Sequence, residues 1–327
     1  MTILRFVMAG LVVTLGAYGQ ADEWGLALER GRAQMRSGSF TEAERSFREA
    51  LKISKARPEG PSLAVEAVTL NALGLLHDEM GKYRDAEREL RLALAAIVKR
   101  AQSETDRALM ISNIAGVMSH QRRYEESEER YRESIAIYVK QKVTNDPFLA
   151  LTQTGLAEVL MHLNRLDEAE RLLDTAIPVL VNQPEPHVAY AGLAINNLGV
   201  VRLRQGRCSE AATLLYDAVR WTERECGSNY PRLASPLNNL AVTLSVLGRV
   251  DEAAPIFVRA MHLSEKGLGA EHPLHAMVLG NYADFLKKNG RKAEGKILEA
   301  KSREVRRDSD RLNGVGMTVD ASTFRLR

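Results

Sequence analysis

The chain has 327 residues, of which 45% are hydrophobic, 27% charged and only 6% aromatic, and its formal charge is +3. That balance excludes wholesale disorder, and plentiful Ala, Leu, Glu and Arg suit packed helices better than a sheet sandwich. Residues 296–327 hold eight Lys/Arg against five Asp/Glu, which is the whole excess, so the body is near neutral and nucleic acid is not an expected partner.

The first 21 residues read as an address. Arg5 is the only charge before Asp22, and Phe6 to Ala17 form an apolar stretch broken by Gly10, Thr14 and Gly16. Ala17 and Gly19 frame one cleavage position, and Gly19 and Ala21 another. This resembles a secretory signal peptide and is short of the ~20 apolar residues of a membrane span. Export to the periplasm or outside the cell is expected, with an uncleaved N-terminal anchor as the alternative. No cysteine follows the stretch, which excludes a bacterial lipoprotein anchor.

From residue 22 onward a repeat organises the chain. Seven second helices are expected to start at Phe40, Tyr83, Tyr124, Leu166, Cys208, Val250 and Lys292, at offsets of 43, 41, 42, 42, 42 and 42. Three residues into each come Ala43, Ala86, Ser127, Ala169, Ala211, Ala253 and Gly295. Seven further on come Ala50, Ala93, Ser134, Ala176, Ala218, Ala260 and Ser302. Small side chains at helical spacing let two helices approach closely. A large apolar residue follows the second small site (Leu51, Leu94, Ile135, Ile177, Val219, Met261), but the last repeat has Arg303 there, which marks it as a cap facing water.

The first helices of four pairs carry Leu73-Gly74, Leu156-Ala157, Leu198-Gly199 and Leu240-Ala241 at equivalent positions. Short turns follow at Gly81, Asn164, Gly206, Gly248 and Gly290, residues that accept the left-handed conformation ending a helix. Pro58, Pro61, Pro147, Pro184, Pro186, Pro231 and Pro273 punctuate the loops between pairs. Cys208 and Cys226 fall at opposite ends of one helix, about 27 Å apart at 1.5 Å per residue, too far for a bridge, so both are expected as free thiols.

The expected fold is all-α: an α-solenoid of about seven antiparallel helix pairs over residues 22–307, with a flexible tail over 308–327. The small/large pattern resembles the tetratricopeptide repeat (TPR), and the spacing, Ser235–Ala253 and the loop Gly267–Pro273 resemble its kinesin-light-chain type. The resemblance implies a right-handed superhelix whose concave face, lined by first helices, binds protein or extended peptide. A cytoplasmic motor role is not implied; an exported bacterial repeat protein is the better analogy.

One residue before the Leu-Gly/Ala position come Asn113, Gly155, Asn197, Asn239 and Asn281, and one further back Asn71, Asn196 and Asn238. An asparagine offers donor and acceptor together, so a ladder of them can grip a peptide backbone, as the resemblance implies for this family. They can equally bond neighbouring helices and stabilise the stack, and both readings stay open. Arg32, Arg36, Asp78, Glu79, His120, Glu158, His162, Arg204, Asp284, Lys287 and Lys288 are expected further along the same face, with neither sign dominant. Arg204 joins the asparagines as a groove candidate.

No phosphate-cradling loop, nucleophile elbow or His-Glu-x-x-His helix occurs, so no enzyme and no cofactor are expected. His272 and His275 have ligand-like spacing with His262 nearby, but no cysteine joins them, and a loop role rather than a metal is expected. Glu87 with Arg91 and Glu126 with Arg130 read as modest surface pairs. The functional expectation is a non-catalytic binding scaffold or adaptor in the cell envelope or outside the cell. A structural spacer that self-associates through its ends or convex face is the alternative, and the tail from Leu312 is a candidate occupant of its own groove.

Overall fold

The computed structural model describes residues 23–56, 61–99, 103–182 and 189–313. The expected leader, the Pro58 and Pro184–Pro186 loops and the tail beyond Asn313 lie outside the described residues. Among those described, the chain forms fourteen α-helices, one short 3-10 turn and no strand. The first four pairs are α1 (Glu23–Arg36) with α2 (Phe40–Lys55), α3 (Pro61–Glu79) with α4 (Tyr83–Lys99), α5 (Glu104–His120) with α6 (Tyr124–Lys140) and α7 (Pro147–His162) with α8 (Leu166–Val181). Then follow α9 (Ala189–Arg204) with α10 (Cys208–Cys226), α11 (Ala234–Val246) with α12 (Val250–Leu268) and α13 (Pro273–Lys288) with α14 (Lys292–Asn313). All seven second helices begin at the residues the spacing predicts. α14 continues to Asn313, past the expected end of the solenoid at residue 307.

Two layers result. Each odd-numbered helix packs on its even-numbered partner, and the odd-numbered helices also touch one another in succession, so they form the inner layer. The small residues of the even helices are buried at both registers, from Ala43 and Ala50 to Ala253 and Ala260. Where serine replaces alanine, the hydroxyl is satisfied across the pair: Ser127 donates to the Ala115 carbonyl at 2.6 Å and Ser134 to that of Ala108 at 2.7 Å. Sixteen residues after the small inner-helix position stands a large buried one, Leu90, Tyr131, Leu173, Leu215 or Phe257. A Cβ on Gly74 would come within 2.7 Å of Leu90, and one on Gly199 within 2.8 Å of Leu215, so these pairs need glycine to close.

Turns obey the same period. Gly38, Gly81, Gly206, Gly248 and Gly290 all have positive φ, and so do Asn164 and Arg122 at the equivalent sites. Arg122, at φ 64°, takes a conformation that a side chain disfavours. Between pairs, Asp146 caps α7 by accepting from the Phe148 and Leu149 amides at 2.7 and 3.2 Å, with Pro147 at the first helical position. Cys208 and Cys226 form no disulfide and stand at the two ends of α10. Arg91 meets Glu87 at 2.7 Å as spaced, whereas Glu126 turns to Arg123 and Arg130 to Glu133. Arg303 is exposed on α14, as a cap requires.

The solenoid curves far enough to meet itself. The α1–α2 turn at Gly38 lies beside Pro231 and Gly267, and the α3–α4 turn at Gly81 lies against Pro273. Pro231 fits over Gly267, where a Cβ would sit 2.3 Å from the proline ring. The inner layer therefore encloses a cavity where the sequence leads one to expect an open groove.

Candidate ligand cavity

The cavity has a volume of about 520 Å³ and is walled by residues from Met35 in the first pair to Arg306 in the last. Its floor is the inner-helix register singled out above. Asn113, Asn196, Asn197, Asn239 and Asn281 line it, whereas Asn71 and Asn238 stand behind them and are buried.

The asparagines bond one another across successive pairs. Asn113 Nδ2 donates to Asn71 Oδ1 at 2.9 Å, Asn239 Nδ2 to Asn196 Oδ1 at 2.9 Å and Asn281 Nδ2 to Asn238 Oδ1 at 3.1 Å. The 42-residue register makes this possible, since it brings each lining asparagine over the preceding residue of the earlier helix. The ladder breaks at α7, where Gly155 stands in the asparagine register and Tyr131 occupies its space; a Cβ there would lie 2.4 Å from the tyrosine hydroxyl. The donors thus serve the stack, while Asn113 and Asn281 keep Oδ1 without a described partner as acceptors toward the cavity. Asn197 has the reverse arrangement. Its Oδ1 accepts from Asn196 at 3.1 Å, and its Nδ2 is buried with no described partner.

Arg204 closes the next turn of α9. Its guanidinium donates to the Met161 carbonyl at the end of α7 and to Asn164 Oδ1 at 3.0 Å, which anchors it against the negative end of that helix. It pairs with no carboxylate among the described residues, and burial lowers its pKa. His162, one pair earlier at the same register, stacks on Tyr124 with ring centroids 4.4 Å apart. Burial lowers its pKa against the pull of Glu158, which favours the neutral ring.

The far wall is ionic. Glu79 pairs with Arg232, 153 positions away. Asp78 meets His120 Nδ1 at 2.6 Å. Burial opposes the charge on Asp78, but the His120 contact outweighs it and holds the carboxyl below its usual range. In return Asp78 raises the His120 pKa despite burial, so this contact is a charged pair. Glu79 shifts the other way: desolvation raises it more than Arg232 lowers it. His272 accepts from the Leu274 amide at 3.1 Å through Nδ1 and faces the Glu79 carbonyl at 3.1 Å through Nε2. Both contacts require the neutral ring protonated on Nε2, in line with a pKa pushed down to about 4 by burial and by Arg232.

Asp78, Glu79, His120, Glu158, His162 and Arg204 thus line the cavity as the sequence predicts. Others expected there do not. Arg32 is buried and pairs with Glu29, while Lys287 is held by Asp284 at 2.7 Å and Glu299 at 3.3 Å. Lys288 is also outside the lining, and the Arg36 side chain lies outside the described residues. Arg232, Tyr230 and Tyr190 line the cavity without having been expected; they stand outside the positions that recur as asparagine, so periodicity gives no signal for them. His272 keeps its turn role and also joins the wall. His275 faces elsewhere, to Ser264 Oγ at 2.9 Å, and no group of three or more metal-ligating side chains occurs among the described residues.

Comparison with known families agrees with the period. One tetratricopeptide repeat model matches residues 25–97 and 106–180, and a second matches 193–231 and 233–274. The chain belongs to the tetratricopeptide repeat family. Several solved structures resemble it over most of its length. The Rap conjugation gene regulator of the plasmid pLS20, in complex with the Phr* peptide, has a TM-score of 0.72 at 10% identity, covering 90% of this chain and 77% of that one. A Rap protein complexed with competence and sporulation factor scores 0.70 at 12% identity, covering 95% and 82%. Aspartyl phosphate phosphatase F from Bacillus subtilis scores 0.54 at 13% identity, covering 92% and 98%. At such identities the likeness is one of fold. No curated protein matches the sequence. Among the described residues no helix is long and apolar enough to cross a membrane.

Proposed function

We propose that this TPR chain is a non-catalytic scaffold that holds a short peptide segment in its central cavity, in the cell envelope or outside the cell. The observation that carries the reading is the central cavity of about 520 Å³, within the ~300–1,000 Å³ typical of ligand sites, walled by asparagine acceptors and an anchored arginine. The fold is shared with a regulator solved with a peptide, which favours a peptide over another small ligand. Closure of the ring favours a segment of a few residues over a long extended strand. The location rests on the sequence alone, on Arg5 followed by the apolar run Phe6–Ala17.

Native mass spectrometry of the protein with an equimolar tetrapeptide pool tests the binding. The wild type should carry peptide adducts, and Val200→Trp, which fills the cavity from its α9 wall, should lose them while melting normally. Adducts that survive in the filled variant would move the site to another surface. Recovery of the native protein from fractionated cells, followed by N-terminal sequencing, tests export; an intact Met1 in the cytosolic fraction would refute it.

A further inference from the structure

Two opposite charges in the cavity wall form no ion pair among the described residues, although His120 and His162 both feel the field of Glu158. Among the described residues Arg204 donates to the neutral oxygens of Met161 and Asn164 alone, and Glu158 makes no hydrogen bond or ion pair. They do not neutralise one another. Glu158 lies on α7, one turn before His162, and Arg204 lies on α9 at the register of His162 itself, so each faces the cavity from its own inner helix. His162, stacked on Tyr124, feels both charges and lies near each.

Both groups are half-buried, so solvent reaches them. An occupant that excludes solvent must supply hydrogen bonds to both, or leave a guanidinium and a carboxylate buried and uncompensated. A neutral apolar ligand fails at both ends, and a singly charged one fails at one. A third group supports the same wall. Asn197, two turns before Arg204 on the same face of α9 and 4% exposed, lines the cavity with its Nδ2 unpartnered, a donor in need of a carbonyl. The Asn113 and Asn281 oxygens offer acceptors for peptide N–H groups.

Resting on the reading of the cavity as a peptide site, we infer that its occupant is a zwitterionic short peptide whose carboxylate faces Arg204 and whose ammonium faces Glu158. One helical turn along the axis and one inner helix across place the two residues on the order of 10 Å apart. An extended chain covers at most about 3.3–3.6 Å per residue, so peptides of about three to five residues reach from one charge to the other. The charges come either from free termini or from an acidic and a basic side chain.

Five tetrapeptide pools built on Gly, Ala, Ser and Leu separate these cases: free termini, N-acetylated, C-amidated, blocked at both ends, and blocked at both ends with one Lys and one Glu included. Competition binding to the wild-type chain should favour the free pool over the doubly blocked neutral pool at least about tenfold, or about 1.4 kcal/mol, with the singly blocked pools between. Equal retention of the Lys/Glu pool assigns the charges to side chains, and its loss assigns them to termini; either upholds the inference. Arg204→Gln should cancel only the advantage of the carboxylate, and Glu158→Gln only that of the ammonium. Equal binding of all pools would overturn the charge assignment while leaving the peptide site standing. No binding of any pool would overturn both. The wild-type comparison holds even where a variant fails to fold, which a thermal melt detects.

Discussion

Along the arc from α5 to α10 each helix meets the helices before and after it, and each inner helix also the next inner one, through alanines, serines and one large apolar residue per pair that return every 42 residues or so. At the seam, contacts with no counterpart in the other repeats do the joining. Glu79 reaches Arg232 across 153 positions, His272 reaches the Glu79 carbonyl across 193, and Pro231 and Pro273 meet the turns at Gly38 and Gly81. The arc is stabilised by apolar burial repeated many times, the seam by a few polar contacts made once. Repetition therefore sets curvature, while closure depends on single side chains, and the two should respond differently to the same kind of insult.

The largest effect is expected in the arc. Leu173, fully buried in α8, should cost about 2–5 kcal/mol on change to Ala, because its cavity cannot collapse between helices already in contact. Chemical denaturation should show the loss across the whole solenoid. Arg232→Gln should cost less, about 1–2 kcal/mol, since the arginine keeps 39% of its side-chain surface toward the cavity. Hydrogen exchange should then accelerate around residues 78–82 and 269–274 and leave α5–α10 unchanged. Uniform acceleration would erase the distinction between arc and seam.

Acid sharpens the comparison. The folded pKa of His272 lies at about 4, below its ordinary 6.5, so the ring stays neutral in the fold while it gains a proton when unfolded. Its contribution is full above pH 6.5 and is lost as pH falls toward 4. Glu79, raised by burial, works in the opposite sense: its contribution is full below its ordinary value and fades as pH rises. His272→Asn keeps an N-cap acceptor without a titrating ring, so it should flatten the loss of seam protection between pH 6.5 and 4. A profile unchanged by that substitution would assign the acid response to other groups. The smallest expected effect is a gain: Arg122→Gly should relieve the positive-φ turn by about 1 kcal/mol, read as a higher melting temperature.

Much of this was legible in the chain. The seven helix starts from Phe40 to Lys292, the unbridged cysteines and the water-facing Arg303 follow from period and helical geometry, because a repeated pattern specifies each neighbour contact many times over. Part of the site was legible as well: Asn113, Asn196, Asn197, Asn239, Asn281 and Arg204 occupy the cavity wall because the register places them there. The sequence left the use of the asparagines open, and the fold shows their amide donors largely spent on stacking.

By itself, then, the sequence determined the helices, their pairing and the inner face, all consequences of contacts within one or two repeats. Only the tertiary structure decided that the ring closes, that Arg232 and His272 meet Glu79, and that Glu158 and Arg204 face the cavity with no ion pair among the described residues. Those outcomes depend on small rotations between successive pairs added over most of the chain, and no local pattern of residues encodes such a sum.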